Sequence, residues 1–417
     1  MSREAGADAT SAGWRAAERA ARESYGRLVA LLAWRWRDLA AAEDALADAF
    51  AAALAHWPRD GVPDSPEAWL MTAAKRRLLQ AARHDGIARD PAVTALFDAD
   101  PVAPDTPPLP DRRLALMFVC AHPALAENVR APLMLQAVLG LDAATIAAAF
   151  LVSPAAMAQR LVRAKAKIRA TGMRFDEPEA AELPARLGAV LDSIYGAYTI
   201  GSNNALLGPE AALATPLSGL RSEALFLGRL VVALQPDSAE AAGLLALLLY
   251  CEARRPARLD ERGRFVPLAA QDPARWDRAA LDEAEQLLRR AASRHASGPF
   301  QLEAAIQSAH CQRAFGGATP WGAIATLYAT LVAHYPSIGA RIGRAVAQAE
   351  AGDASGGLAT LASLPDETIR DYQPYWVALA HLQRLAGGTA AAAEALRRAI
   401  GLTEDPQVRE YLSRQLG

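Results

Sequence analysis

The fold is decided by the stretch LDAATIAAAFLVSPAAMAQRLVRAKAKIR, which runs from Leu141 to Arg169. Asp142 is a typical N-cap for a short helix that ends near Phe150. Ser153-Pro154 starts a second helix, because serine caps well and proline is favoured at the first helical position. Only Leu151-Val152 remains for the turn between them. Two helices joined this tightly predict a helix-turn-helix.

The second helix of this pair has one apolar stripe, and the rest of its surface is basic. No acidic residue occurs between Leu151 and Met173. Such a helix can enter a major groove, where Arg and Gln read base edges while Lys and Arg neutralise phosphates. A structural helix with a solvated basic face would give the same pattern, so the residues alone leave both interpretations open. The stripe consists of Met157, Leu161, Ala164 and Ile168, and the polar residues off it are Gln159, Arg160, Arg163, Lys165, Lys167 and Arg169.

Residues 11–86 predict three helices with contrasting charges. They run from Ser11 to about Trp36, from Asp38 to Trp57, and from Pro66 to about His84. The second is purely acidic, with Asp38, Glu43, Asp44 and Asp48, and the third carries Trp69, Lys75, Arg76, Arg77 and Arg83. An acidic helix suits a basic protein partner, whereas a basic helix beside tryptophans suits melted DNA. Taken singly, each helix is more typical of an ordinary solvated face, so their order along the chain matters more than either alone.

The remaining segments separate at changes in composition. Residues 87–110 contain six prolines and predict an extended linker. Residues 111–174 predict four helices, including the helix-turn-helix, and residues 182–417 predict a long helical extension. In that extension, Tyr372 to Ala386 and Thr389 to Leu402 predict a helical hairpin with the small-and-large pattern of tetratricopeptide (TPR) repeats. A generic antiparallel hairpin would show the same pattern.

Composition excludes several classes of protein. Alanine dominates and β-branched residues are sparse, which predicts an all-α fold. No apolar run approaches the roughly 20 residues of a membrane span, and the polar N-terminus lacks the features of a signal peptide. Cys120, Cys251 and Cys311 are isolated, which fits a reducing cytoplasm better than disulfides or zinc. Common catalytic motifs are missing, so we expect neither an enzyme nor a bound cofactor or metal.

The order of acidic helix, basic aromatic helix, proline-rich linker and basic helix-turn-helix resembles the extracytoplasmic-function (ECF) sigma factors of the sigma-70 superfamily. Asp38 to Phe50 resembles region 2.2, which in that family binds the β′ clamp helices of core RNA polymerase. His56 to Leu70 with the basic cluster at 75–77 resembles regions 2.3–2.4, which capture and melt the −10 promoter element. Leu141 to Arg169 resembles region 4.2, which reads the −35 element. The resemblance implies these roles for Asp38, Glu43, Asp44 and Asp48 on polymerase; for Trp69, Lys75, Arg76, Arg77 and Arg83 at −10; and for Ser153, Ala156, Gln159, Arg160, Arg163, Lys165 and Lys167 at −35.

One subgroup of these factors is similar over nearly the whole chain. Asp111 to Phe118 and Phe150 to Lys165 resemble its region 4, and Ala253 to Arg258 and Gln271 to Arg278 resemble strings in its TPR-like C-terminal extension. The resemblance implies a sigma factor of three parts: region 2 at 11–86, region 4 at 111–174, and a regulatory extension at 182–417 that contacts the sigma domains in cis. The alternative is a helical-repeat interaction scaffold whose sigma-like half no longer binds DNA.

Overall fold

The computed structural model describes residues 2–84, 111–150, 152–171, 173, 179, 181–204, 219–403 and 405–416. These residues form helices, short 3-10 turns and loops, with one isolated β-bridge between Leu259 and Phe265 and no strand. The predicted all-α class is therefore confirmed for the described part of the chain. The predicted linker at 87–110 lies outside the described residues.

The chain divides into two compact units. The first contains the described residues up to Gly201 together with 219–230, and the second contains the rest. The helices that begin in the first unit are α1 (Ser2–Trp36), α2 (Leu39–Asp60), α3 (Pro66–His84), α4 (Arg112–Cys120), α5 (Glu127–Ala137), α6 (Ala143–Ala149), α7 (Pro154–Thr171), α8 (Leu183–Asn204) and α9 (Leu220–Leu234). The composition break near residue 182 does not coincide with a unit boundary, because most of α8 belongs to the first unit.

The first unit buries apolar side chains both in its N-terminal three helices and in the four helices that follow them. Trp57, Leu46 and Leu70 are buried among α1, α2 and α3, and Phe118 and Leu133 are buried in α4 and α5. At Gly26 in α1, an added Cβ would stand 1.8 Å from the carbonyl oxygen of Val138, which follows α5. The two groups of helices therefore touch through backbone, at a distance that only glycine permits.

The second unit is a series of helix pairs. Its helices are α10 (Ala239–Arg254), α11 (Arg278–Ala292), α12 (Pro299–Cys311), α13 (Trp321–His334), α14 (Ile338–Glu350), α15 (Ala354–Ala362), α16 (Asp366–Ile369), α17 (Gln373–Leu385), α18 (Thr389–Gly401) and α19 (Pro406–Arg414). The predicted hairpin corresponds to α17 and α18. Ala380, Leu396 and Ala399 are buried where the two helices and α19 meet, with Trp376 and Leu379 partly buried beside them.

No individual helix in the described ranges combines the length and apolarity that a bilayer crossing needs. The pair α6 and α7 meets that criterion only when both helices are counted together across a bend of 111°.

His310 makes the stability of the second unit depend on pH. Burial and the nearby Arg254 guanidinium lower the pKa of His310 from 6.5 to about 4. His310 therefore binds a proton near pH 6.5 in the unfolded chain but only near pH 4 in the folded chain. The contribution of neutral His310 to the free energy of unfolding is fully present above pH 6.5 and is lost as the pH falls towards 4. The loss approaches about 3 kcal/mol at the acid end.

We expect the thermal unfolding midpoint to fall between pH 7.5 and pH 5 by less in His310→Phe than in the native chain. The phenyl ring keeps the edge contact with Trp321, whose ring centroid lies 5.3 Å from that of His310. Exposed His334 gives the matched control, His334→Gln, which should retain the native pH dependence. Identical pH profiles for His310→Phe and the native chain would contradict the assignment.

Candidate nucleic-acid interface

Helices α6 and α7 form a helix-turn-helix with both predicted caps. The Asp142 carboxylate accepts hydrogen bonds from the Ala144 and Thr145 amides, each at 2.9 Å. The bonds from Thr145 are the main cause of the lowered pKa of Asp142. The Ser153 hydroxyl accepts a hydrogen bond from the Ala156 amide at 3.3 Å. The helices meet at 111°, within the range of about 90–120° that is usual for this motif.

The apolar stripe of α7 faces the core of the first unit, as its spacing predicts. Met157, Leu161, Ala164 and Ile168 are all buried. Because the stripe fixes the rotation of the helix, the side chains at its N-terminal half that face outward are also fixed. Ser153, Gln159 and Arg163 are exposed, whereas Ala156 and Arg160 are half-buried.

The C-terminal half of α7 turns Lys165 and Arg169 towards acidic residues at the start of α2. Lys165 Nζ lies 2.6 Å from a carboxylate oxygen of Glu43, and Arg169 Nε lies 2.8 Å from one of Asp38. Lys167 donates to the Ala124 carbonyl. Sequence reasoning placed Lys165 among outward DNA contacts, but its side chain is only 19% exposed here. The physical reason is charge complementarity, because the segment from Asp38 to Asp48 at the start of α2 carries only acidic charges and α7 carries only basic ones.

The Glu43–Lys165 pair is buried but incompletely satisfied. Burial raises the pKa of Glu43, and the charge and hydrogen bond of Lys165 only partly offset that effect. The second carboxylate oxygen of Glu43 is buried without a hydrogen-bond partner among the described residues. Since desolvation cancels much of the attraction in such a pair, its net contribution to stability is small. A competing partner can therefore replace this contact at little cost.

The four acidic residues of the predicted polymerase surface do not share one environment. Asp38 and Glu43 are covered by α7, whereas Asp44 and Asp48 are exposed on α2. Asp48 lies 3.3 Å from Arg77 in an exposed pair, which contributes little energy.

Helix α3 presents an aromatic and basic recess. A cavity of about 430 Å³ is lined by Trp69, Thr72 and Arg76, together with the small side chains of Ala68 and Ala73. The Trp69 ring packs edge-on against the buried Trp57, with centroids 5.6 Å apart, so its position is fixed.

The other predicted −10 residues lie on the same helix. Arg76 and Arg77 are exposed and Lys75 is half-buried. Arg83 lies near the end of α3, and its side chain is outside the described part of the structure.

Two arginines at the start of α4 make contacts that sequence reasoning missed. Arg112 lies over the Trp34 ring, 4.7 Å from its centroid. Arg113 binds Asp111 at 2.7 Å and also pairs with Glu223 of α9. Burial alone would raise the pKa of Asp111, but the hydrogen bonds and charge of Arg113 outweigh it and lower that pKa. Two adjacent arginines after a proline-rich stretch were the available signal for such anchoring.

Helix α8 also packs on the helix-turn-helix part of the first unit. Arg186 is buried and donates to the Phe118 carbonyl at 3.2 Å. An added Cβ at Gly196 would lie 3.5 Å from a methyl of Leu135, so α8 passes close to α5 at this residue.

Comparison with known families follows the same division. Residues 20–86 match the family model for sigma-70 region 2, and residues 115–168 match that for sigma-70 region 4. An uncharacterized protein of Rhizobium meliloti (strain 1021) is 34% identical over 388 residues, which cover 91% of this chain and 90% of that protein. The chain belongs to the sigma-70 family. It is an ECF-like sigma factor with a C-terminal extension.

The extension of this sigma factor matches a family of unknown function, DUF6596, over residues 186–292. That match begins inside α8, which is part of the first unit. No solved structure matches the chain. Membership of the sigma-70 family makes core RNA polymerase and promoter DNA the partners of this protein and transcription initiation its process.

Proposed function

We propose that this sigma factor directs promoter-specific initiation without catalytic activity of its own, and that its C-terminal extension regulates it in cis. In this proposal α7 reads the −35 element, α3 captures the −10 element, and the acidic side of α2 docks on the β′ clamp helices of polymerase. The single observation that carries it is the capped helix-turn-helix whose buried stripe leaves Gln159 and Arg163 exposed together.

The −35 contact follows from the chemistry of the exposed half of α7. Arginine donates two parallel hydrogen bonds to guanine O6 and N7, whereas glutamine donates one hydrogen bond to adenine N7 and accepts one from adenine N6. Arg163 Nε is only loosely held in the free protein, by the Gln159 carbonyl at 3.3 Å. Ser153, Ala156, Arg160 and Lys167 border this surface and supply phosphate and positioning contacts.

The −10 contact follows from the recess on α3. Unpaired bases stack on aromatic side chains, and cations beside them hold the phosphates. Trp69 and Arg76 line one cavity, and Lys75 and Arg77 continue the basic surface along the same helix, on which Arg83 also lies. An unstacked base has room there only after the duplex opens, so this surface selects melted DNA.

Replacing Trp69 with alanine should weaken binding to a forked promoter with an unpaired −10 strand about tenfold, because stacking contributes about 1–3 kcal/mol per base. Binding to fully duplex DNA should change much less. The measurement is a titration of the polymerase holoenzyme with each DNA. Exposed Trp14 offers the matched control, Trp14→Ala, and an equal loss with both variants would remove Trp69 from the −10 site.

Polymerase docking through all four acidic residues requires α7 to separate from α2. Asp44 and Asp48 are available for first contact, whereas Asp38 and Glu43 become available when α7 leaves α2. The basic clamp helices then replace Arg169 and Lys165 as partners. Binding of polymerase and release of α7 for DNA are thus one coupled step, and the free factor binds promoters weakly.

Regulation in cis is supported by the first helices of the extension. Arg186 of α8 holds the Phe118 carbonyl of α4, and Glu223 of α9 pairs with Arg113 at the start of α4. Any rearrangement of α8 or α9 therefore acts on the base of the helix-turn-helix. The residues after α9 are in a position along the chain to bias these two helices.

The test is run-off transcription with purified core polymerase. Full-length protein is compared with a chain ending at Gln235, which keeps α8 and α9. Promoter-dependent transcripts from the full-length protein support the initiation role, and a change in rate on truncation supports regulation by the second unit. If neither protein gives transcripts or salt-sensitive promoter binding with polymerase, the scaffold interpretation replaces this proposal.

A further inference from the structure

The second unit contains a cavity of about 750 Å³ to which the proposed function assigns no role. Helices α14, α17, α18 and α19 surround it, together with the loop around Phe265. Pockets that hold small-molecule ligands usually have volumes of about 300–1,000 Å³. The Phe265 and Tyr411 rings, which both line the cavity, meet edge-on with centroids 5.5 Å apart.

Most of the wall is aliphatic. Ile342 and Val346 come from α14, Val377 from α17, Leu396 from α18 and Val408 from α19. Backbone N–H and C=O groups inside these helices are hydrogen-bonded to each other and cannot bind a ligand. An extended peptide placed here would leave its own amides unpaired, at a cost of at least about 1 kcal/mol for each group. An alkyl chain carries no such groups and suits this wall.

Several polar side chains on the wall have hydrogen-bond partners, and the charge of Arg384 has no acidic partner among the described residues. His381 binds Glu350 at 2.7 Å, and Gln373 donates to Thr403 at 3.1 Å. Arg384 donates to the Gln415 amide oxygen at 2.8 Å, and within the described part of the chain it has no acidic partner. A guanidinium has five N–H donors, so most of those on Arg384 remain available. None of the lining residues is acidic.

We propose that this cavity binds a small amphipathic carboxylate. The alkyl part lies against the aliphatic wall, and the carboxylate accepts hydrogen bonds from Arg384. Charge complementarity selects the head group, because Arg384 has no acidic partner in the described part of the chain and no lining residue is acidic, whereas His381 is already paired with Glu350. The proposal does not depend on the role of the first unit in transcription.

The experiment is isothermal titration of the full-length protein with decanoate below its micelle concentration. We expect saturable binding of one decanoate per chain. Decanol and decyltrimethylammonium, which keep the alkyl part and change the head group, should bind at least about tenfold more weakly, since a hydrogen-bonded ion pair contributes about 1.5–3 kcal/mol.

Two variants locate the site. Arg384→Gln should weaken decanoate binding about tenfold and leave decanol binding unchanged. Ala393→Phe, at a half-buried lining position, should abolish binding of both compounds by filling the cavity. Arg397→Gln is the matched control, because Arg397 is exposed on α18 and does not line the cavity.

Several results would overturn the proposal. These are no saturable binding of decanoate, equal affinity for decanol, or an unchanged affinity in Arg384→Gln. Binding of an apolar pentapeptide with a free carboxyl terminus, without binding of decanoate, would assign the cavity to peptides instead. Self-association that Ala393→Phe abolishes would assign it to a second copy of the chain. Circular dichroism of each variant verifies that the helices are retained.

Discussion

The charge reversal Lys165→Glu is expected to separate α7 from α2 in the free sigma factor. Lys165 is the partner of Glu43, whose side chain is only 10% exposed. A second carboxylate at this place leaves two buried like charges, and loss of one partner of a buried pair costs about 3–5 kcal/mol. The two groups of helices have cores of their own, so the contact between them gives way first. Hydrogen exchange measured by mass spectrometry should show faster exchange in α2 and α7.

The double variant Glu43→Lys with Lys165→Glu restores the pair in reverse and should recover most of the lost protection. Arg169→Gln is the milder comparison, because the Arg169 side chain is 61% exposed and its pair with Asp38 is screened by solvent. Gly26→Ala tests the same contact without any charge, since its Cβ cannot coexist with the Val138 carbonyl oxygen. Native exchange rates in both Lys165→Glu and Gly26→Ala would show that the contact does not hold the helices together.

Separation also changes affinity for polymerase. When a binding surface is covered in most molecules, the apparent affinity for the partner is the intrinsic affinity multiplied by the fraction of molecules in which the surface is uncovered. The Gly26→Ala variant keeps every acidic residue of α2 and should therefore bind core polymerase more tightly than the native chain.

The second large effect is expected for Arg163→Glu, which should reduce holoenzyme binding to a −35-containing promoter about 10–100-fold. One base contact by arginine contributes about 1–3 kcal/mol, and the new carboxylate also repels the phosphates. Arg163 is exposed and its guanidinium donates to the Gln159 carbonyl of the same helix, so the fold should be unaffected. The measurement is promoter affinity as a function of salt concentration, together with affinity for core polymerase.

Affinity of Arg163→Glu for core polymerase should stay native, which separates loss of DNA contact from misfolding. Arg397→Glu makes the same charge change on an exposed position of α18 and should leave promoter binding intact. If Arg163→Glu retains native promoter affinity, or if Arg397→Glu loses as much, α7 does not read DNA through this face.

Local features were predictable from the sequence because they depend on neighbours along the chain. The N-caps Asp142 and Ser153 lie where their short polar side chains predicted helix starts, and Asp38, predicted as the first residue of the second helix, is the N-cap of α2. The spacing of Met157, Leu161, Ala164 and Ile168 predicted the buried side of α7. Capping and helical periodicity act within one or two turns, so no knowledge of distant residues was needed.

Contacts between distant residues required the tertiary structure. The charges of α2 and α7 are complementary in the sequence, but only packing decides that Glu43 meets Lys165 while Asp44 and Asp48 stay exposed. The same holds for Arg113 with Glu223.

The sequence was sufficient to predict that the described part of this chain is helical, that helices start after Asp142 and Ser153, and that the two sigma regions follow in order. The tertiary structure decided which cations face outward, because a helix of mixed exposure has several charged side chains and only its neighbours determine which of them are covered. It also decided the cavity around Arg384, since four helices and a loop that are separate in the sequence must converge before any wall exists.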